Sequence, residues 1–158
     1  MKEMSHMDEQ GHPRMVDVSG KPESQRQAVA KGLVRMQAAT LERIKKGQMA
    51  KGDVLAVAQL AGIMAAKETP HLIPLCHPIF IDEVKIDFEL DEKNNAVEIT
   101  ATVKSTGKTG VEMEALTATA VTALTIYDMV KGIDRGMRIE NIRLVHKSGG
   151  KSGQITLE

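Results

Sequence analysis

Aromatic residues are nearly missing from this chain: Phe80, Phe88 and Tyr127 are the whole set in 158 residues, and there is no tryptophan. Three rings leave no stacking platform of the kind that holds single-stranded nucleic acid. Cysteine is scarcer still. A lone Cys76 excludes an intramolecular disulfide and fits a reducing compartment, so a cytoplasmic location is expected. Neither sign of charge is in excess: 21 Lys and Arg balance 21 Asp and Glu. No overall field therefore draws the chain to nucleic acid or to an anionic membrane, and any positive patch must be local. No run of 18 apolar residues occurs, and Met1 to Glu9 lacks the apolar stretch of a signal peptide. The chain is expected neither to span a membrane nor to be secreted by that route. With 13 glycines, 5 prolines and 42% hydrophobic residues, the composition is that of an ordinary globular protein rather than a disordered or fibrous one. The length suits one domain that needs no disulfide staple.

Residues 1–14 are polar and without periodicity, which predicts a flexible arm before a single catalytic domain over 15–158, with order beginning at Met15-Val16-Asp17-Val18. Ala28 to Met36 suits helix or strand equally. Thr40 to Lys46 reads as a short helix ended by Gly47. Asp53 to Lys67 reads as a stronger one, with Val54, Val57, Ala58, Ala61 and Met64 at helical spacing before Pro70. Pro70 and Pro74 then predict an irregular turn. Val84, Ile86, Phe88 and Leu90 alternate with polar residues, as do Val97, Ile99, Ala101 and Val103, and the polar run 91–95 separates them. That is a β-hairpin with one wet face. Thr109 followed by Glu112 predicts a capping box opening a long helix that ends at Gly132. Ile139, Ile142 and Leu144 suggest a further strand, and 155–157 a short closing one. Helices mixed with mainly antiparallel strands give an α+β fold.

Four stretches carry chemistry. Leu72-Ile73-Pro74-Leu75-Cys76-His77-Pro78 sets a thiol and an imidazole between two prolines, which stiffen the turn and hold a group able to exchange protons near neutral pH. His71, Cys76 and His77 are also possible zinc ligands. The set lacks a fourth ligand and any C-x-x-C pair, so no metal is expected. Glu112-Met113-Glu114 lies in the first turn of the long helix, where carboxylates favour the dipole in any case. Glu114 is not needed by the cap and is free to grip a guanine-like edge or to move a proton. Gly107-Lys108-Thr109-Gly110 and Gly150-Lys151-Ser152-Gly153 resemble the end of a P-loop, yet the glycine that pattern requires is Thr102 in one case and Val145 in the other. The first still lies at a helix start, where backbone donors favour an anion. The second brings Lys147 and Lys151 to a glycine-rich loop. Asp128 and Lys131, spaced i,i+3, are either a surface ion pair or a lysine whose orientation and pKa an aspartate sets.

Taken in order from Met15 to Gly153, these strings, with Ala123-Leu124-Thr125-Ile126-Tyr127-Asp128-Met129, resemble the MoaC family of molybdenum cofactor biosynthesis. The resemblance implies a ferredoxin-like α+β fold, a mainly antiparallel sheet packed with helices. It implies a homohexamer, a trimer of dimers with sites at subunit interfaces. It also implies a lyase reaction: 3′,8-cyclo-7,8-dihydro-GTP is rearranged to cyclic pyranopterin monophosphate with release of pyrophosphate, with no redox cofactor known to be needed. The family's functional residues fall on Lys51, His77, Glu112, Met113, Glu114, Asp128, Lys131 and Lys147, with Lys21 and Arg26 beside them. That chemistry needs proton transfers and cations. Asp128, Lys131 and Lys51 are assigned the proton work. His77, Met113 and Glu114 are assigned recognition of the base. Leu75, Cys76, Glu112 and Lys21 join the substrate-binding set, and Lys147 with Arg26 holds the phosphates.

Helix geometry adds a constraint. Glu114 and Asp128 are 14 residues apart on one helix, hence roughly 21 Å at 1.5 Å per residue. If both touch one compact substrate, the site must combine two subunits. Two other classes use the same residues: a non-catalytic guanine-nucleotide-binding module, and a structural subunit whose lysines and glutamates only make oligomer contacts.

Overall fold

The computed structural model describes residues 5–158, so residues 1–4 of the expected arm lie outside the described part. The elements are β1 (Ser24–Arg35), α1 (Ala38–Lys45), α2 (Val54–Leu72), β2 (Glu83–Asp91), β3 (Ala96–Gly107), α3 (Glu112–Val130), β4 (Arg138–Ser148) and β5 (Ile155–Thr156). All strand pairings are antiparallel, in the order β2-β3-β1-β4-β5. A β-α-β-β-α-β succession with order 2-3-1-4 is the ferredoxin-like α+β arrangement, and β5 extends its edge.

The stretch left open between helix and strand is the central strand. Ala28, Ala30, Gly32 and Val34 are buried on one face of β1, alternating with partly exposed neighbours. This period of two carries little hydrophobic contrast because three of the four inward residues are small. Their smallness has a purpose in packing. A Cβ on Gly32 would sit 3.0 Å from Thr119 Cγ2 of α3, so the bare strand lets the helix lie close to the sheet. α2 meets α3 the same way. Gly62, Ala58, Ala65 and Ala66 are buried, and a Cβ on Gly62 would collide with Thr122 Oγ1 and Ile86 Cδ1. Ile86, Ile99, Ile126, Val34, Val97 and Val130 fill the core between helices and sheet, each contributing about 1.5–3 kcal/mol of apolar burial.

The structure corrects four expectations. α2 does not stop at Lys67 but runs through Pro70 to Leu72. In the last turn, the proline forgoes a single helical N–H bond. The true terminator is Pro74, which pushes Ile73 into the extended region (φ −109°, ψ 109°). The buried stripe of α2 also differs from the one read by spacing: Val57 and Met64 point outward, and small residues point in. Finally, Thr109 makes no capping box. The residue before α3 is Val111, with no side-chain cap, and Glu112 turns to Lys147 instead. At the other end, α3 closes at Val130 rather than Gly132, and the chain goes on through a tight turn to Asp134. That buried carboxylate caps the start of α1, accepting from Gln37 N at 2.9 Å and Thr40 Oγ1 at 3.0 Å.

Candidate active site

The sheet reaches past the start of α3, and that overhang gathers the cations. Arg26 shares the helix-facing side of β1 with Ala28. Lys147 of β4 lies directly opposite Ala28 in the antiparallel register, so it faces the same way. Arg26 Nε donates to Gly107 O at 2.9 Å, and Lys147 Nζ donates to a Glu112 carboxylate oxygen. The 149–150 turn closes over them. Gly149 and Gly150 have φ of +94° and +74°, and a Cβ on the first would strike Gln25 O, on the second the Arg26 guanidinium. Only glycine permits that approach. The result is a cavity of about 610 Å³ lined by Lys21, Arg26, Lys147 and Lys151 beside Ser24, Thr109 and Gly110. Four cations around one cavity at a helix start suit an anion. The Ser24 hydroxyl there is buried without a hydrogen-bond partner.

Glu112 is the partition to a second, smaller cavity. Of about 160 Å³, it is lined by Leu75, Cys76, His77, Met113 and Glu114, with His6 and the shared Thr109, Gly110 and Glu112. A Cβ on Gly110 would collide with the Glu112 carboxylate, so the bare glycine is what lets Glu112 stand between the two spaces. His77 Nε2 lies 2.7 Å from Val16 O. A carbonyl only accepts, so Nε2 is the donor in this contact. Glu114 is buried, at 3% exposure. Burial pushes its carboxyl up to about 7, opposed in part by its own backbone N–H, and the Glu112 charge raises it further. The Cys76 thiol is likewise raised, first by burial and then by the Glu114 charge. It contributes to the cavity wall.

Asp128, Lys131 and Lys51 lie at the far end of α3. Lys131 Nζ is 2.8 Å from Asp128 Oδ1, and Lys51 Nζ is 3.7 Å from Oδ2 and donates to the Asp128 carbonyl at 3.1 Å. The hydrogen bond and charge of Lys131, then the charge of Lys51, hold the Asp128 carboxyl below its usual range, while Asp128 raises Lys131. A cavity of about 270 Å³ adjoins them, with Arg43 and Arg135 in its lining. Within the chain the expected site residues thus form two clusters, as the spacing of Glu114 and Asp128 along one helix requires. His77, Glu112, Met113, Glu114, Lys147, Arg26, Lys21, Leu75 and Cys76 come together; Asp128, Lys131 and Lys51 do not join them. Sequence reasoning missed Ser24, Arg43 and Arg135, which belong to no recognisable local pattern, and the contact of Gly110 with Glu112, although Gly110 lies in the Gly107–Gly110 string it singled out. Among the described residues, no three His, Cys, Asp or Glu side chains are grouped as metal ligands would be.

The profile of the MoaC family matches residues 15–150. The chain belongs to the MoaC family. A protein of Roseiflexus sp. (strain RS-1), named cyclic pyranopterin monophosphate synthase, is 60% identical over 155 residues, covering 98% of both chains. Proteins of the same name from Desulfitobacterium hafniense and Roseiflexus castenholzii are 61% and 57% identical. The first covers 99% of this chain and 95% of the relative. The second covers all of both. The family match begins at Met15 and contains both clusters. No helix of the described residues is long and apolar enough to cross a membrane.

Proposed function

We propose that this MoaC-family chain is a cyclic pyranopterin monophosphate synthase: it converts 3′,8-cyclo-7,8-dihydro-GTP to cyclic pyranopterin monophosphate and pyrophosphate in molybdenum cofactor biosynthesis. The observation that carries the reading is the pairing of a four-cation cavity with an acid-lined notch across Glu112. The notch is below the roughly 300–1,000 Å³ of a cavity that takes a whole ligand, whereas the cation cavity is within that range. A phosphorylated base fits the pair, ring in one and phosphates in the other.

Lys147, Arg26 and Lys21 hold the triphosphate, and Glu112 keeps Lys147 aimed until the substrate arrives. His77, Met113 and Glu114, backed by Leu75 and Cys76, hold the base. With its carboxyl near 7, Glu114 can donate a hydrogen bond or exchange a proton at neutral pH. Opening the five-membered ring and closing the pterin require further proton transfers, assigned to Asp128, Lys131 and Lys51. A ribose-derived hydroxyl attacks the α-phosphorus, and pyrophosphate leaves as its bridging oxygen takes the bond pair. The cations stabilise the charge that builds there.

The uninterrupted α3 keeps Glu114 and Asp128 roughly 21 Å apart, so one compact substrate reaches both clusters only across a subunit boundary. The assembly is a homohexamer, a trimer of dimers. Leu60 and Met64 of α2 and Leu124 of α3, more than half exposed, support cover by another copy. Residues 15–158 serve as one catalytic domain, and the reaction runs in the cytoplasm, in keeping with a single unpaired cysteine. The test is direct: supplied with the cyclised dihydro-GTP, the folded protein should release pyrophosphate and the pyranopterin together. Folded protein that yields neither overturns the reading in favour of the binding module.

A further inference from the structure

The notch beside Glu112 contains a side chain that the functional assignment leaves without a role, His6. It arrives there on a built turn. Asp8 Oδ1 accepts from the amides of Gln10 at 2.9 Å and His12 at 2.8 Å. Asp8 N donates to His12 O at 2.9 Å, and Arg14 N to His6 O at 2.8 Å. Gly11 takes the left-handed φ of +82° that the reversal needs, and Met7 bridges Pro13. Beyond the turn the chain is tied down twice, and each tie is to a segment that bears the site. Val16 O accepts from His77, and Ser19 O accepts from Lys108 Nζ at 3.0 Å. The first holds the turn between the prolines and the second the approach to α3.

The notch has to grip a flat bicyclic ring, yet none of the chain's three Phe and Tyr residues lines it. Its flat side chains are His6 and His77. His77 has its Nε2 engaged by Val16, which fixes that ring, whereas His6 is exposed on the N-terminal turn. Imidazoles stack on nucleobases as other aromatic rings do. We propose that His6 is a further substrate-contacting residue, a ring brought by the N-terminal turn to cover the base held in the Glu114 notch. This rests on the reading that the notch holds the base.

The experiment measures steady-state kinetics with the cyclised dihydro-GTP, and the melting temperature, for the unaltered full chain, His6→Ala and His6→Phe. His6→Ala should lose about tenfold in kcat/KM, carried mainly by KM, the lower end of what one base–aromatic stack supports. Its Tm should not move, because the side chain is exposed. His6→Phe, flat but unable to hydrogen-bond, should keep most of the activity. A His6→Ala value within twofold of the unaltered chain overturns the proposal, as does a loss that follows a lowered Tm, or a His6→Phe as impaired as His6→Ala. An unaltered chain that makes no product would instead end the functional reading itself, and that result is seen before any variant is compared.

Discussion

Helix α3 carries a carboxylate of the candidate site near each end, and their environments could hardly differ more. Glu114, near its start, is buried with its carboxyl raised to about 7. Asp128, near its end, is exposed between two lysines that hold its carboxyl low. The same chemical group thus has its carboxyl raised at one end of the helix and lowered at the other. Desolvation dominates the first and neighbouring charge the second. On the proposed function the proton work at the far end is shared by Asp128, Lys131 and Lys51, while Glu114, near 7, can itself change state at neutral pH.

The sharpest way to break this contrast is Asp128→Asn. It keeps the shape and removes the charge that holds both lysines, so kcat should fall by about 10²–10⁴, the usual worth of a positioned acid/base group. Tm should be nearly unchanged, since the pair is exposed and such pairs stabilise little. A turnover equal to that of the unaltered chain would reduce the cluster to a surface ion pair.

Complementation asks whether the two ends serve one substrate. Lys147→Ala and Asp128→Asn should each be nearly inactive alone. Co-expressed in equal amounts, they should recover roughly a quarter of full activity, because half of random dimers are mixed and each mixed dimer has one intact site of two. No recovery in mixed, folded oligomers would place the whole site within one chain.

The smallest effect concerns stability. Because the folded-state pKa of Glu114 lies above its ordinary value of 4.5, the native state holds more protons than the unfolded chain between pH 4.5 and about 7. Stability therefore declines as pH rises through that window, by about 3 kcal/mol in all. Glu114→Gln has no proton to lose. Its stability relative to the unaltered chain should be level below pH 4.5 and higher by up to about 3 kcal/mol above pH 7, read by denaturant unfolding across pH. A difference that does not change with pH would mean that Glu114 is not protonated by burial.

Local pattern made part of this molecule legible. The β2–β3 hairpin was readable because large side chains on Ile86, Phe88, Val97 and Ile99 alternate with charged ones. β1 was not, because Ala28, Ala30 and Gly32 contrast weakly with what surrounds them. The inward face of α2 was misread for a related reason: Val57 and Met64, taken as inward by spacing, point outward, and Gly62 and its alanines make the close contact with α3. Thr109 and Glu112 had the spacing of a capping box. A lysine from a distant strand competes for the Glu112 carboxylate, and no local spacing reports that competitor.

What the sequence determined by itself was the set of participants: the turn around His77, the Glu112-Met113-Glu114 helix start, the Asp128–Lys131 pair and the glycine-rich loop after Lys147, together with the family they identify. Those are local strings, and local chemistry survives in a string. Tertiary structure decided their grouping. The register of β1 against β4 brings Arg26 and Lys147 to the start of α3, whereas the distance of Asp128 from them already followed from its spacing along the helix. It also decided the protonation of Glu114, because a carboxyl's pKa follows the water and charge around it, and those come from residues far apart in the chain.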